Sequence, residues 1–179
     1  MLTLLAALAM APVASAATDS QLPAAPWWER ITVTVSGDGQ SQGCLYTSSS
    51  GESSNDCTVE DAASMTSSSS SEHSATGGAQ LTRITFERRF TPGMVTAADV
   101  NVHTGDTLLS REVMALAIDG RGSVKNCRVV GVSGQMAVEY GCAEAKAEKF
   151  QASATRGPVP AEREGYMTVL VYAHAEHLA

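Results

Sequence analysis

The sequence has few of the features that mark several large classes of protein. Beyond position 16 no run approaches the ~20 consecutive apolar residues that a membrane-spanning helix needs. No Cys-x-x-Cys pair indicates a redox site or a zinc knuckle. Lysine and arginine do not occur between Arg30 and Arg83, and the net charge is −7. Because nucleic acids and anionic membranes bind basic surfaces, this charge argues against both as partners.

The N-terminal segment has the pattern of an export signal. The segment 1–16, MLTLLAALAMAPVASA, is uncharged and ends in a small-x-small pattern. Its apolar run is too short to span a membrane, so we predict a signal peptide at 1–16 that is cut after Ala16. Residues 17–26 follow as a polar lead, which we expect to be flexible. The remaining chain should work outside the cytoplasm, with no integral membrane segment.

The chain contains four cysteines, and export favours disulfide bonds. Four cysteines allow three connectivities, and the short spacing within each half favours the two local pairs, Cys44 with Cys57 and Cys127 with Cys142. No matching set of histidines accompanies them, so we expect no metal site at the cysteines.

A serine-rich segment occupies the middle of the first half. Nearly half of the positions from 48 to 74 are serine. Such a run cannot bury enough apolar area to offset the entropy of ordering it. We therefore predict a mobile loop, apart from a short helix near 58–65.

Alternating apolar residues predict the strands. The apolar side chains of 31–35 share one face, and a glycine turn follows at 37–39. Residues 81–90 alternate in the same way. Trp27 and Trp28 precede the first strand, where alternation should bury one ring and expose the other. We take Trp28 as the ring that could anchor a partner.

The same pattern recurs later in the chain, which predicts an internal duplication. One constant shift, which takes Ile31 to Met114, relates the apolar face of the first strand, two turn glycines, one cysteine and a Ser-Gly pair to similar residues. A slightly longer shift then relates the second cysteine to its counterpart and Leu81 to Tyr166. The predicted parts are a first unit at 27–92, a connector at 93–107, a second unit at 108–175 and a tail at 176–179.

Each unit is expected to be α+β, with an antiparallel sheet of about three strands and one helix on one face. In the second unit Ala143, Ala147 and Phe150 fall on one helix face, and Cys142 would tie that helix to the sheet. In the first unit the helix is reduced or absent, because serines replace the apolar residues.

The second unit carries a set of residues that points to a family. They are Gly122-x-Val124-x-x-Cys127-x-Val129, Ser133-Gly134, Phe150-x-Ala152-Ser153 and the strand from Tyr166 to Tyr172. Together they resemble the C-terminal domain of TonB-type proteins, in the variant of exported alphaproteobacterial proteins, clearly over about 108–175 and faintly over about 27–92. The resemblance implies a strand, strand, helix, strand fold and contact with outer-membrane receptors through strand addition at an exposed sheet edge.

The resemblance implies a non-enzymatic periplasmic protein that mediates protein interactions in the cell envelope. Its partner would be an envelope protein such as an outer-membrane receptor, with a link to transmembrane transport, or a second copy of the chain added by strand pairing. Besides Trp28, we expect Tyr166, Val169 and Val171 of the last strand to contact this partner. We expect no catalytic residue, metal or cofactor.

A second hypothesis is a secreted enzyme or metal-binding protein. It would use His103, Asp106, His174 and His177, which must then converge within several ångströms. His174 and His177 are close together near the C-terminus, where a solvated tail is the simpler interpretation.

Overall fold

The computed structural model describes residues 21–57, 80–93, 104–152 and 162–177. The predicted signal peptide at 1–16, the helix near 58–65 and most of the serine-rich loop lie outside the described residues. His103 and the side chain of His177 lie outside them as well.

Strands dominate the described chain. In chain order the elements are β1 (Trp27–Ser36), β2 (Ser41–Ser48), β3 (Ser53–Ser54), β4 (Gln80–Pro92), β5 (Thr107–Ile118), β6 (Val124–Gly134), α1 (Cys142–Ala147) and β7 (Arg163–His177). The segments 31–35 and 81–90, predicted from alternation, lie within β1 and β4. No helix of the described chain is long and apolar enough to span a membrane.

The strands join in one antiparallel sheet with the order β3-β2-β1-β4-β7-β5-β6. At its centre β4 pairs with β7 from Gln80 opposite His177 to Pro92 opposite Gly165. This long pairing joins the first three-stranded half, β2-β1-β4, to the second, β7-β5-β6. It also extends β7 to His177, into the segment predicted to be a tail.

The predicted α+β fold, with two tandem units of about three strands each and a helix on the sheet of the second unit, is wrong. One seven-stranded sheet replaces the two small ones, because β4 and β7 pair with each other. The helix α1 spans only Cys142–Ala147, and Glu148 already has extended backbone angles. Ala143 and Ala147 are exposed instead of facing the core, and Phe150 enters the core from the extended segment after the helix.

Alternation gives the sheet two faces of different character. The apolar face carries the core, in which Phe90 lies between Trp27 and Phe150 with ring centroids 6.4 and 4.7 Å away. Ala145 of α1 is buried in the same cluster. The polar face carries the intervening residues of β1, β4 and β7, among them Thr32, Thr85, Glu87 and Tyr172.

Arg88 is a charged side chain on the apolar face. It pairs with Glu29 at 2.6 Å and with Glu148, and its guanidinium carbon lies 4.6 Å from the ring centroid of Tyr140. Burial opposes the charge, but Tyr140, Glu29 and Glu148 raise the pKa of Arg88 above its ordinary value. Arg88 therefore ties β1 and β4 to the segment that follows α1.

The β1–β2 and β5–β6 hairpins correspond position by position at the first predicted shift. Val33 pairs with Cys44, and Leu116 pairs with Cys127. Each turn contains a glycine with positive φ, 82° at Gly39 and 83° at Gly122. The two hairpins thus share one backbone frame.

The third strands of the two halves do not follow the predicted longer shift. Ile31 pairs with Phe86, and its counterpart Met114 pairs with Met167, so Phe86 corresponds to Met167. The counterpart of Tyr166 is then the neighbour of Phe86, Thr85, and not Leu81. Because positions 81 and 85 are separated by an even number of residues, their side chains point to the same face of the sheet, so the predicted shift still related residues of one face.

The lead, predicted to be flexible, is held at Leu22. The Leu22 N–H donates to the carbonyl of Lys149, and the Leu22 carbonyl accepts from the N–H of Gln151, both at 2.7 Å. The Leu22 side chain packs against the core of the apolar face.

Candidate functional site

Both predicted local disulfides are confirmed. Cys44 bonds to Cys57 and Cys127 bonds to Cys142, with Cα–Cα separations of 5.6 and 5.5 Å. The second bond ties β6 to the first residue of α1. In the chain-entropy model, closing a loop of about 15 residues contributes roughly 3 kcal/mol. Two such bonds fit a protein exported from a reducing cytoplasm.

A concave site lies on the polar face, where β1, β2, β4 and β7 meet the turn before β5. Its volume is about 340 Å³. We call it the threonine pocket, because four threonines line it: Thr32, Thr47, Thr85 and Thr104. The rest of its lining is Arg30, Arg83, Asp106, Tyr172 and His174.

Glu87 lies beside this pocket as a buried, paired carboxylate, 1% exposed. Its Oε2 accepts from Arg30 Nε at 2.6 Å and from the Tyr172 hydroxyl at 3.1 Å, while its Oε1 accepts from Arg89 Nε at 2.7 Å. Burial, followed by the charge of Glu87, raises the pKa of Tyr172 to about 12, so this phenol stays a donor. Glu87 thereby fixes Arg30 and Tyr172 in the pocket wall.

Two residues of the enzyme or metal hypothesis do meet in the pocket. His174 Nδ1 lies 2.9 Å from Asp106 Oδ1. Gly105 permits this approach, because its φ is +95° and a Cβ there would lie 3.1 Å from His174 Cε1. The described ranges contain no group of three or more His, Cys, Asp or Glu side chains that could hold a metal.

Strand β7 is not available for strand addition, which corrects the prediction for Tyr166, Val169 and Val171. It pairs with β4 on one side and with β5 on the other. Val169 and Val171 are 1% and 0% exposed. The apolar run that suggested a partner surface is instead typical of a central strand buried on both faces.

Trp28 is half-buried, whereas Trp27 lies in the core. The guanidinium carbon of Arg30 lies 4.4 Å from the ring centroid of Trp28. The backbone N–H of Trp28 donates to Ser49 Oγ at 3.1 Å. Trp28 therefore supports Arg30 at the threonine pocket, a role that sequence reasoning missed.

The longest open edge of the described sheet belongs to β6. Within the described ranges this strand pairs along its length with β5 alone. Its side chains Val129, Val130 and Val132 are 43%, 41% and 68% exposed. We call residues 129–134 the β6 edge. An exposed apolar edge of this kind is a template for pairing with another chain.

The signal for this edge is present in the sequence as the run Val129-Val130-Gly131-Val132, in which the valines break strict alternation. Met114 pairs with Val129 and Val113 pairs with Gly131, so a bulge leaves Val130 without an opposite residue. Bulges of this type are frequent at sheet edges and re-aim side chains.

No family model, no curated protein and no solved structure matches the chain. A proposal for its function therefore rests on its own geometry and on the sequence resemblance described above.

Proposed function

We propose that the chain is a non-enzymatic periplasmic protein that binds a partner of the cell envelope by strand addition at the β6 edge. This is the role implied by the resemblance to TonB C-terminal domains, transferred from β7 to β6. The observation that supports it most is the exposure of Val129, Val130 and Val132 on a strand with one neighbour among the described residues.

Strand addition uses two kinds of contact, and β6 offers both. The edge of a sheet presents backbone N–H and C=O groups that a second strand can pair with. Those backbone bonds supply affinity, and alternate side chains supply specificity. The exposed valines at 129–132 would then pack against apolar side chains of the added strand.

The charge of β6 indicates the chemistry of the partner. Its sequence, VKNCRVVGVSG, contains Lys125, which pairs with Asp119 at 3.2 Å, and Arg128, and no acidic residue, in a chain with a net charge of −7. Opposite charges facing each other across strands are stabilising, and like charges are destabilising. An extended segment with alternating apolar and acidic residues therefore fits better than a second copy, which would bring two basic strands together.

Site-specific photocrosslinking in the native envelope tests this proposal. We expect a crosslinker at Val132 to capture one envelope protein, because this is the most exposed valine of the β6 edge. The matched control is Leu45, which is 40% exposed on β2, at the other side of the sheet. It should give no such adduct.

Equal adducts from Val132 and Leu45, or none from either, would contradict strand addition at β6. An adduct composed of two copies of the chain would contradict the acidic partner and favour the homodimer.

The enzyme or metal hypothesis retains one observation, the contact of Asp106 with His174. A catalytic zinc site needs three protein ligands. Asp106 and His174 lie in the lining of the threonine pocket, so this contact favours the binding of a small molecule over metal chemistry.

A further inference from the structure

The threonine pocket has the size and lining of a small-molecule site. Its volume of about 340 Å³ falls at the lower end of the range for ligand pockets, roughly 300–1,000 Å³. Residues from β1, β2, β4, β7 and the turn before β5 form it, so it depends neither on β6 nor on the proposed strand addition.

Arg30 is the best-positioned group in this pocket. Glu87 accepts from its Nε atom at 2.6 Å, and Trp28 stacks against it at 4.4 Å. Once Nε is bonded, a guanidinium keeps its Nη donors for a second acceptor, and its planar fork matches a carboxylate. Because both supports are fixed by the sheet, little freedom is lost when Arg30 binds an anion.

Threonine hydroxyl groups of the pocket lining lie near Arg30. Thr47 is directly opposite it on β2. Thr32 and Thr85 face each other across β1 and β4, with their Oγ1 atoms 3.1 Å apart. Each threonine hydroxyl can both donate and accept, so the group suits a ligand that itself carries hydroxyls.

Asp106 narrows the class of ligand further. It lines the pocket and is oriented by its contact with His174 at 2.9 Å. Its carboxylate accepts hydrogen bonds from ligand hydroxyls but repels a second negative charge. A monoanion with hydroxyl groups therefore suits the lining better than phosphate.

We propose that the threonine pocket binds a small hydroxylated carboxylate of the sugar-acid class. Arg30 takes the carboxylate, while the threonine hydroxyls and Asp106 take the ligand hydroxyls.

Calorimetric titration of the exported, disulfide-bonded chain with D-glucuronate tests this proposal. We expect saturable binding with a Kd of about 1 mM or tighter. D-glucose lacks the carboxylate and inorganic phosphate lacks the sugar hydroxyls, so each should bind at least about ten-fold more weakly.

Two threonine variants locate the site. Thr47→Val removes a hydroxyl from the pocket and should weaken glucuronate binding roughly three- to ten-fold. Thr34→Val makes the same change on β1 outside the pocket lining and should leave the Kd unchanged. Arg30→Gln should abolish glucuronate binding. If this variant does not fold, the Thr47 variant still tests whether glucuronate binds in the threonine pocket.

Three results would overturn the proposal. One is the absence of saturable glucuronate binding, and another is equal binding of phosphate. The third is an equal loss of affinity in the Thr47 and Thr34 variants.

Discussion

The two outer hairpins of the sheet share a backbone frame but present different edges. On β2 the two-residue strand β3 pairs with Tyr46 and Thr47, and the rest of the strand is mostly polar. On β6 three valines are exposed, and within the described ranges β5 is the strand that pairs with it. The same backbone frame is therefore shielded at the β2 edge and open at the β6 edge, and the open edge is the one proposed above as the partner surface.

The β5–β6 hairpin also has more contacts between its turn and the rest of the described chain than the β1–β2 hairpin. The carbonyl of Gly122 in its turn accepts from the N–H of Phe150 at 2.8 Å, and the chain after β6 bonds back to the carbonyl of Leu109. At the first hairpin, a Cβ added at the turn residue Gly39 would meet nothing within 4 Å. A rigid edge loses less entropy when it pairs with a partner.

The largest effect should come from Gly122→Ala, compared with Gly39→Ala. Both residues have positive φ, which alone costs alanine about 1–2 kcal/mol. At Gly122 the new Cβ would also lie 1.8 Å from the carbonyl oxygen of Phe150. We expect Gly122→Ala to lower the free energy of unfolding by about 3 kcal/mol or more, and Gly39→Ala by about 1–2 kcal/mol. Urea denaturation measures both, and equal losses would show that the turn of β5–β6 is not braced.

Removal of the disulfides should have the next largest effect. Replacing Cys127 and Cys142 by alanine, or Cys44 and Cys57, should each cost about 3 kcal/mol. The first pair holds α1 against β6, so its removal should also reduce the crosslink from Val132. Removal of Cys44 and Cys57 should lower the melting temperature and leave that crosslink intact. A loss of the crosslink in both double variants would mean that global stability, not the brace of β6, controls binding.

The smallest effect concerns the carboxylates in the two turns. Asp119 Oδ1 accepts from the N–H groups of Ser123 and Arg121 at 2.8 and 2.9 Å, and the bond from Ser123 is the main cause of its lowered pKa. The pKa of Asp38 is lowered chiefly by its bond from Ser36. A lowered pKa stabilises the fold above the ordinary value of 3.8, and this contribution is lost as the pH falls below it.

Melting temperatures between pH 5 and pH 3 measure this contribution. At pH 5 the Asp119→Asn and Asp38→Asn variants should each have a slightly lower melting temperature than the parent chain. This difference in melting temperature should shrink toward pH 3. A difference that stays constant with pH would contradict a role for the ionised carboxylates.

Local features of the sequence predicted local structure well. Alternation located parts of β1 and β4, and cysteine spacing predicted both disulfides, because strand periodicity and short disulfide loops depend on neighbouring residues. The alanine pattern at Ala143 and Ala147 was misleading, because tertiary pairing after α1 overrides helical preference.

Features that depend on distant pairing could not be obtained in this way. The β4–β7 ladder joins residues that are far apart in the chain, and together with the β5–β7 ladder it makes β7, with Val169 and Val171, a central strand. The contact of Asp106 with His174 also joins distant parts of the sequence. Trp28 acts through Arg30, a partner that only the fold reveals.

The most direct test of strand addition is amide hydrogen exchange on the free chain and on its complex with the partner captured at Val132. The account predicts new protection of backbone amides at 129–134 in the complex, with exchange at 41–45 of β2 unchanged. Unchanged exchange at 129–134, or protection that appears at β2 instead, would contradict it.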